Sequence, residues 1–207
     1  MQETRDNTMC RVEHCPSAEP SPGKLVILSG PSGCGKDTVL EEVLKKDPSL
    51  KLSVSYTTRQ PRGDESNGIH YHFITREEFL ENLDEGKVLE YAEYDGNFYG
   101  TPKEPVDRML AHGETVILII EVQGAARVCV LYPDALTIFL LPPSLEELEQ
   151  RLRSRGTDGE EEIHTRLAIA SEEMRRRDEY SHHVVNDDLS RAVNEVLEII
   201  RGGNHHA

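Results

Sequence analysis

Residues 25–36 read Leu25-Val26-Ile27-Leu28-Ser29-Gly30-Pro31-Ser32-Gly33-Cys34-Gly35-Lys36, an apolar run followed at once by a glycine-rich turn that ends on a lysine. Next, Val39, Leu40, Val43 and Leu44 recur at helical spacing until Lys45-Lys46-Asp47-Pro48, where basic residues suit a helix end and the proline stops it. Strand, loop and helix in this order, with the lysine in register, form the Walker A pattern. Its glycines let backbone N–H groups face phosphate oxygens, its lysine reaches the terminal phosphates, and the helix start adds positive potential. The spacing predicts a nucleotide-binding loop made of Gly30, Pro31, Ser32, Gly33, Cys34, Gly35, Lys36, Asp37 and Thr38. A glycine-rich turn serving only as a tight connection is the bland alternative, and the register of Lys36 speaks against it.

The rest of the chain fits an α/β protein. Val116-Ile117-Leu118-Ile119-Ile120 and Leu136-Thr137-Ile138-Phe139-Leu140-Leu141 are continuous enough for strands buried on both faces, and Val88-Leu89-Glu90-Tyr91 is a further apolar run. Three helices are announced by a hydroxyl residue with glutamate three places on, at Thr75/Glu78, Thr101/Glu104 and Ser144/Glu147, each the pattern of a capping box. Gly86, Gly113 and Gly156 mark their ends. Ile163, Leu167, Ala170 and Met174 form one later helical stripe, and Leu189, Val193, Val196 and Ile200 form another. Residues 1–22 carry Pro16, Pro20 and Pro22 with no hydrophobic period and read as a disordered tail, so one domain spans residues 23–203.

Composition narrows the function. A chain of 207 residues can bury its own core without disulfides or a structural metal. Its formal charge of −15 argues against nucleic-acid and anionic-membrane partners, which are gathered by a positive field. No run approaches the roughly 18 apolar residues that cross a bilayer, and the first residues lack a secretion signal, so a cytoplasmic protein is expected. Cys10, Cys15, Cys34 and Cys129 lie in unlike contexts and read as reduced thiols; Cys10 and Cys15 with His14 have no second ligand pair nearby for a zinc site.

Beyond the phosphate loop comes Ser53-Val54-Ser55-Tyr56-Thr57-Thr58-Arg59-Gln60-Pro61-Arg62-Gly63-Asp64-Glu65-Ser66-Asn67-Gly68-Ile69-His70-Tyr71. This segment resembles the GMP-binding segment of the guanylate kinase family. The likeness continues through Glu90, Gly96-Asn97-Phe98-Tyr99-Gly100-Thr101, Val122-Gln123-Gly124, Arg151-Leu152-Arg153-Ser154-Arg155-Gly156-Thr157, Arg166 and Val185-Asn186-Asp187-Asp188, covering about residues 24–200. It implies a P-loop NTPase-type parallel-sheet core carrying a GMP-binding subdomain over about residues 55–115 and a mobile lid over about 150–170. It also implies transfer of the γ-phosphoryl group of ATP to GMP or dGMP, with Mg²⁺ as the metal.

Residue by residue, the resemblance implies that Arg59, Arg62, Tyr71 and Tyr99 clamp the acceptor phosphate. The chemistry agrees, since guanidinium groups bind phosphate through paired N–H donors and phenols add single hydrogen bonds. Glu90 matches the acid that reads guanine; one carboxylate accepts from both the ring N1–H and the 2-amino group, a donor pair that adenine lacks. Ser55 and Thr101 match positions that contact the base, and Glu65 matches a further site residue. Arg151, Arg155 and Arg166 match positions that close over the ATP phosphates and, with Lys36 and Arg59, form the expected catalytic set. The bland reading of the three is surface arginines paired with the acidic stretch Asp158-Gly159-Glu160-Glu161-Glu162. No general base is needed, because the acceptor oxygen is already ionised near neutral pH.

Two positions depart from the pattern. Asp37 stands where the Walker motif places the hydroxyl that meets Mg²⁺, with Thr38 one place later; Thr38 is expected at a phosphate, and Asp37 is expected to help hold the metal. Ile119 stands where the family commonly has an acid near the guanine, which implies looser base selectivity. Glu121 follows two places on and is expected to serve Mg²⁺ through water. The rival from another class is a guanylate-kinase-like module that binds phosphopeptides without catalysis. Such modules usually lack the intact loop and lid arginines that this sequence keeps.

Overall fold

The computed structural model describes residues 23–94, 96–154 and 159–202, and the chain opens on β1 (Lys24–Ser29) followed by α1 (Lys36–Lys46). Short strands β2 (Lys51–Leu52), β3 (Tyr56–Thr57) and β4 (His72–Phe73) lead to α2 (Arg76–Asp84), β5 (Val88–Tyr94), β6 (Asn97–Pro102) and α3 (Lys103–Ala111). Then come β7 (Thr115–Ile119), α4 (Val122–Leu131), β8 (Leu136–Leu141), α5 (Leu145–Ser154), α6 (Glu160–Arg175), β9 (His182–Val185) and α7 (Leu189–Ile200). Residues 1–22, Arg155, Gly156 and the end after residue 202, all read from the sequence above, lie outside the described residues.

One sheet is wholly parallel and runs β2, β7, β1, β8, β9. Alternation along β1 explains why its sequence is continuously apolar. Val26 and Leu28 face α1 and α7 through Val39, Leu40, Val43, Val193 and Val196, whereas Leu25 and Ile27 face α3 and α4 through Val106, Ala125 and Val128. Both faces are covered, so every position counts, and each such side chain contributes about 1.5–3 kcal/mol on leaving water. The phosphate loop and Glu121 emerge from the carboxyl ends of the adjacent strands β1 and β7, which is where open α/β sheets place ligands.

The second sheet runs β4, β3, β6, β5, with β6 antiparallel to both of its neighbours. Phe79 of α2 is fully buried beneath it and stacks on Phe98 at 5.0 Å between ring centroids. The box opening α2 forms as read: the Glu78 N–H donates to Thr75 Oγ1 at 3.1 Å, and the Thr75 N–H donates to Glu78 Oε2 at 2.7 Å. The one expected at Thr101/Glu104 does not form. Strand β6 runs on through Thr101, α3 starts from Pro102 without a side-chain cap, and the Thr101 hydroxyl is used elsewhere. Ser144 accepts from the Glu147 N–H at 3.1 Å, but the Glu147 carboxylate binds Arg151. Leu148 and Leu152 of α5 pack on Leu167 and Ala170 of α6. No described helix is long and apolar enough to cross a membrane.

Candidate active site

Between β1 and α1 the loop is held from behind. Gly35 has φ 97°, a conformation that side chains rarely adopt, and a Cβ there would lie 2.5 Å from Asn186 Nδ2. Asn186, buried just past β9, donates from Nδ2 to the Cys34 carbonyl at 2.8 Å. Cys34 is fully buried and burial pushes its thiol up, so it packs rather than reacts. Lys36 Nζ donates to the Gly30 carbonyl at 2.6 Å and the Pro31 carbonyl at 3.2 Å, neutral acceptors weaker than a phosphate oxygen. Ser32, Gly33, Gly35, Lys36 and Asp37 line a cavity of about 210 Å³ whose far wall is Ile119, Ile120 and Glu121. Asp37 and Thr38 are exposed on the first turn of α1.

Across that same wall lies a second cavity of about 250 Å³, lined also by Ser55, Tyr71, Glu90, Tyr94 and Tyr99. Glu90 is buried with 7 % of its surface exposed, and Thr101 Oγ1 donates to its Oε1 at 2.7 Å. Burial raises the Glu90 pKa and the charge on Glu121 adds to the rise, against the pull of Thr101 and Arg127. A Cβ on Gly124 of α4 would come within 2.4 Å of Glu90 Oε2, so the missing side chain admits the carboxylate. Thr101 therefore supports Glu90 from a strand, and Glu121 puts a second carboxylate beside the cavity despite Ile119.

Arg59 sits over Tyr71, 5.4 Å from the ring centroid, and Tyr71 meets Tyr99 edge to face at 5.9 Å. Its partner is Glu65. Arg59 Nη1 donates to Glu65 Oε2 at 2.8 Å and Nη2 to Oε1 at 2.9 Å, while the Arg62 N–H donates to the same Oε2 at 2.8 Å. The Arg59 side chain, then that amide, hold the Glu65 carboxyl down at about 2. The Arg62 side chain is exposed on this loop.

Arg151 lies behind the phosphate loop, donating to the Asn186 carbonyl at 3.0 Å and to Glu147 at 3.1 Å, with the Cys34 carbonyl 3.5 Å away. Arg166, 18 % exposed along its side chain, bonds Glu162 at 3.0 Å and the Tyr94 hydroxyl. Arg155 lies outside the described residues. Three further groups at the site have no role assigned from the sequence. Asn186 lies in a matching segment just past β9 with no role attached, Tyr94 reads as a strand aromatic and Glu173 as a helix carboxylate. Glu173 has a buried Oε2 with no hydrogen-bond partner among the described residues, and burial raises its pKa while Lys36 pulls it down.

A glycine-rich loop opening a helix from the middle of a parallel sheet, beside a pocket with a buried acid, is the architecture of P-loop nucleotide-binding proteins. A guanylate kinase family model matches residues 22–202. The chain is 48% identical over 178 residues to a guanylate kinase of Synechocystis sp., covering 86% of this chain and 93% of that protein. It is 50% identical over 177 residues to one of Thermosynechococcus vestitus, with 86% and 93% covered. The crystal structure of guanylate kinase from Anaplasma phagocytophilum superposes with a TM-score of 0.72 at 31% identity, covering 90% of this chain and 89% of that one. The chain belongs to the guanylate kinase family.

Proposed function

We propose that the two cavities hold the two substrates of one phosphoryl transfer, ATP on the phosphate loop and GMP beside Glu90, across the shared wall of Ile119, Ile120 and Glu121. As a member of the guanylate kinase family the chain is an enzyme that transfers the γ-phosphoryl group of ATP to GMP, giving ADP and GDP.

The buried, threonine-supported carboxylate of Glu90 carries the assignment of the acceptor pocket. Left alone, burial favours its neutral form; two N–H donors from guanine favour the ionised one, so base and acid stabilise each other. A base without that donor pair leaves the buried oxygens unmatched and is rejected. Arg59, oriented by Glu65, with Tyr71 and Tyr99, holds the acceptor phosphate, and Arg62 joins from the same loop.

Transfer then depends on aligning two anions and spreading positive charge over the moving group. Lys36 exchanges its loop carbonyls for phosphate oxygens, and Arg151, Arg155 and Arg166 add charge from a lid over about residues 150–170 that excludes water on closing. The second sheet, within about residues 55–115, is the GMP-binding part. The donor set fits Mg²⁺. Asp37 and Glu121 line the loop cavity with hard oxygen ligands, and among the described residues no cluster of three or more His, Cys, Asp or Glu could hold a metal alone. A metal held by one or two carboxylates and by substrate phosphates is the usual state of Mg²⁺. Asp37, Thr38 and Glu121 would hold it, partly through water, and once bound it offsets the charge of the phosphate oxygens. Reduced thiols and dependence on ATP suit a cytoplasmic location.

A coupled ADP-release assay with GMP, dGMP, AMP, UMP or no acceptor tests the reading. Turnover is expected with the guanine nucleotides. Turnover with none of them, alongside tight phosphopeptide binding, would identify a binding module instead.

A further inference from the structure

One side chain belongs to both halves of the site. Tyr94 ends β5 and lines the acceptor cavity together with Glu90 and Glu121. Its hydroxyl leaves that sheet and reaches α6, donating to Glu162 Oε1 at 2.9 Å and accepting from Arg166 Nη2. Arg166 closes the triangle by donating to the same Glu162 oxygen at 3.0 Å, and its guanidinium lies 5.4 Å from the centroid of the Tyr94 ring. Among the described residues the arginine thus meets two oxygens and a ring face, and the hydroxyl and the ring both belong to Tyr94 of β5.

We infer that Tyr94 is a positioning residue for Arg166, tying the placement of that guanidinium to occupancy of the acceptor cavity. The inference rests on the reading above in which Arg166 serves the transferred phosphoryl group. A phenol suits the task because one oxygen both donates and accepts, which neither phenylalanine nor a carboxylate can do. Burial and the Glu162 partner raise the Tyr94 pKa, so the hydroxyl keeps the proton it donates. A purine in the cavity packs against the ring and restricts it, so part of the ordering needed to set Arg166 is complete before ATP is engaged. Linkage then requires GMP to tighten ATP binding by the same factor as ATP tightens GMP binding.

The experiment compares wild type, Tyr94→Phe, Glu162→Gln, Arg166→Ala and the Tyr94→Phe/Arg166→Ala double variant in steady-state turnover. It also measures binding of a non-hydrolysable ATP analogue with and without GMP. Phenylalanine keeps the ring, and a melting temperature near that of wild type certifies the fold. Tyr94→Phe is expected to lower kcat roughly three- to tenfold with little change in the KM for GMP, and to weaken the GMP effect on analogue affinity by a similar factor. Glu162→Gln should lower kcat in the same direction. In the Arg166→Ala background the tyrosine change should add nothing. Unchanged kcat and coupling in Tyr94→Phe, or an undiminished effect without Arg166, would overturn the inference alone. A wild-type chain that turns over no guanine nucleotide would remove the functional reading and the inference with it.

Discussion

Glu65 grips Arg59 through two parallel hydrogen bonds, at 2.8 and 2.9 Å, and is itself fixed by the Arg62 backbone N–H. The resemblance implies a site role for both residues, and in the structure the Glu65 carboxylate orients the Arg59 guanidinium. Paired contacts fix a guanidinium in direction as well as place. Glu65→Gln keeps the shape and loses the charge, and is expected to raise the KM for GMP roughly three- to tenfold while that for ATP moves by less than about twofold. Equal shifts in both constants would show that Glu65 does not act through the acceptor side.

The raised pKa of Glu90 predicts a pH profile. In the acceptor pocket proposed above its carboxylate must be ionised to accept two guanine N–H groups, so kcat/KM for GMP should fall as pH drops through a value above the ordinary glutamate value of 4.5. Glu90→Gln should have low activity without that step; the second ionisation of GMP itself is common to both proteins and cancels in the comparison. Because the folded-state pKa lies above the unfolded one, the folded state without substrate loses stability as pH rises through it. Glu90→Gln should therefore melt at or above the wild-type temperature at neutral pH. A lower melting point would contradict the assigned burial cost.

Gly124 offers a test in which stability and activity move apart. Alanine favours a helix by up to about 1 kcal/mol over glycine, but its Cβ would stand 2.4 Å from Glu90 Oε2. Gly124→Ala is expected to keep or raise the melting temperature while raising the KM for GMP roughly tenfold, because the carboxylate is the atom able to move. An unchanged KM would mean that Glu90 need not sit where it does.

Gly35 and Asn186 share one contact behind the phosphate loop. Gly35→Ala meets both a left-handed backbone and the Asn186 amide, at a cost of about 2 kcal/mol or more. Asn186→Ala removes a buried hydrogen bond, at about 1–3 kcal/mol. The double variant should lose less than the sum, since removing the amide relieves the clash; additive losses in denaturant melts would separate the two positions.

Asp37 replaces the hydroxyl of the Walker motif on the first turn of α1. Asp37→Ser should shift the Mg²⁺ concentration giving half-maximal rate, because one of the carboxylates facing the loop cavity is lost. An unaltered Mg²⁺ titration would remove Asp37 from the metal site.

Much of this was legible because it is local. The apolar runs at 116–120 and 136–141 were read as buried strands because β7 and β8 are covered on both faces, and Thr75/Glu78 announced α2 because a capping box closes within one helical turn. Thr101/Glu104 carried the same local signature and failed, because pairing of β6 with β5 across the chain outweighed a cap and turned the hydroxyl onto Glu90. Tyr94 and Glu173 had no signature, and Asn186 belonged to a matching segment without a role, since each matters only through partners far away in sequence.

From residue order alone came the phosphate loop and the parallel α/β core, set by short-range patterns of glycine, charge and hydrophobic period, while the expected role of Glu90 toward guanine came from the family resemblance. Tertiary structure alone decided that Glu65 serves Arg59, that Gly124 makes room for Glu90, and that Tyr94 reaches Arg166 across 72 positions of chain. The physical reason is range. Backbone preferences act over a turn or a strand, whereas a side chain's partner is chosen by how whole elements pack, which no window of sequence encodes.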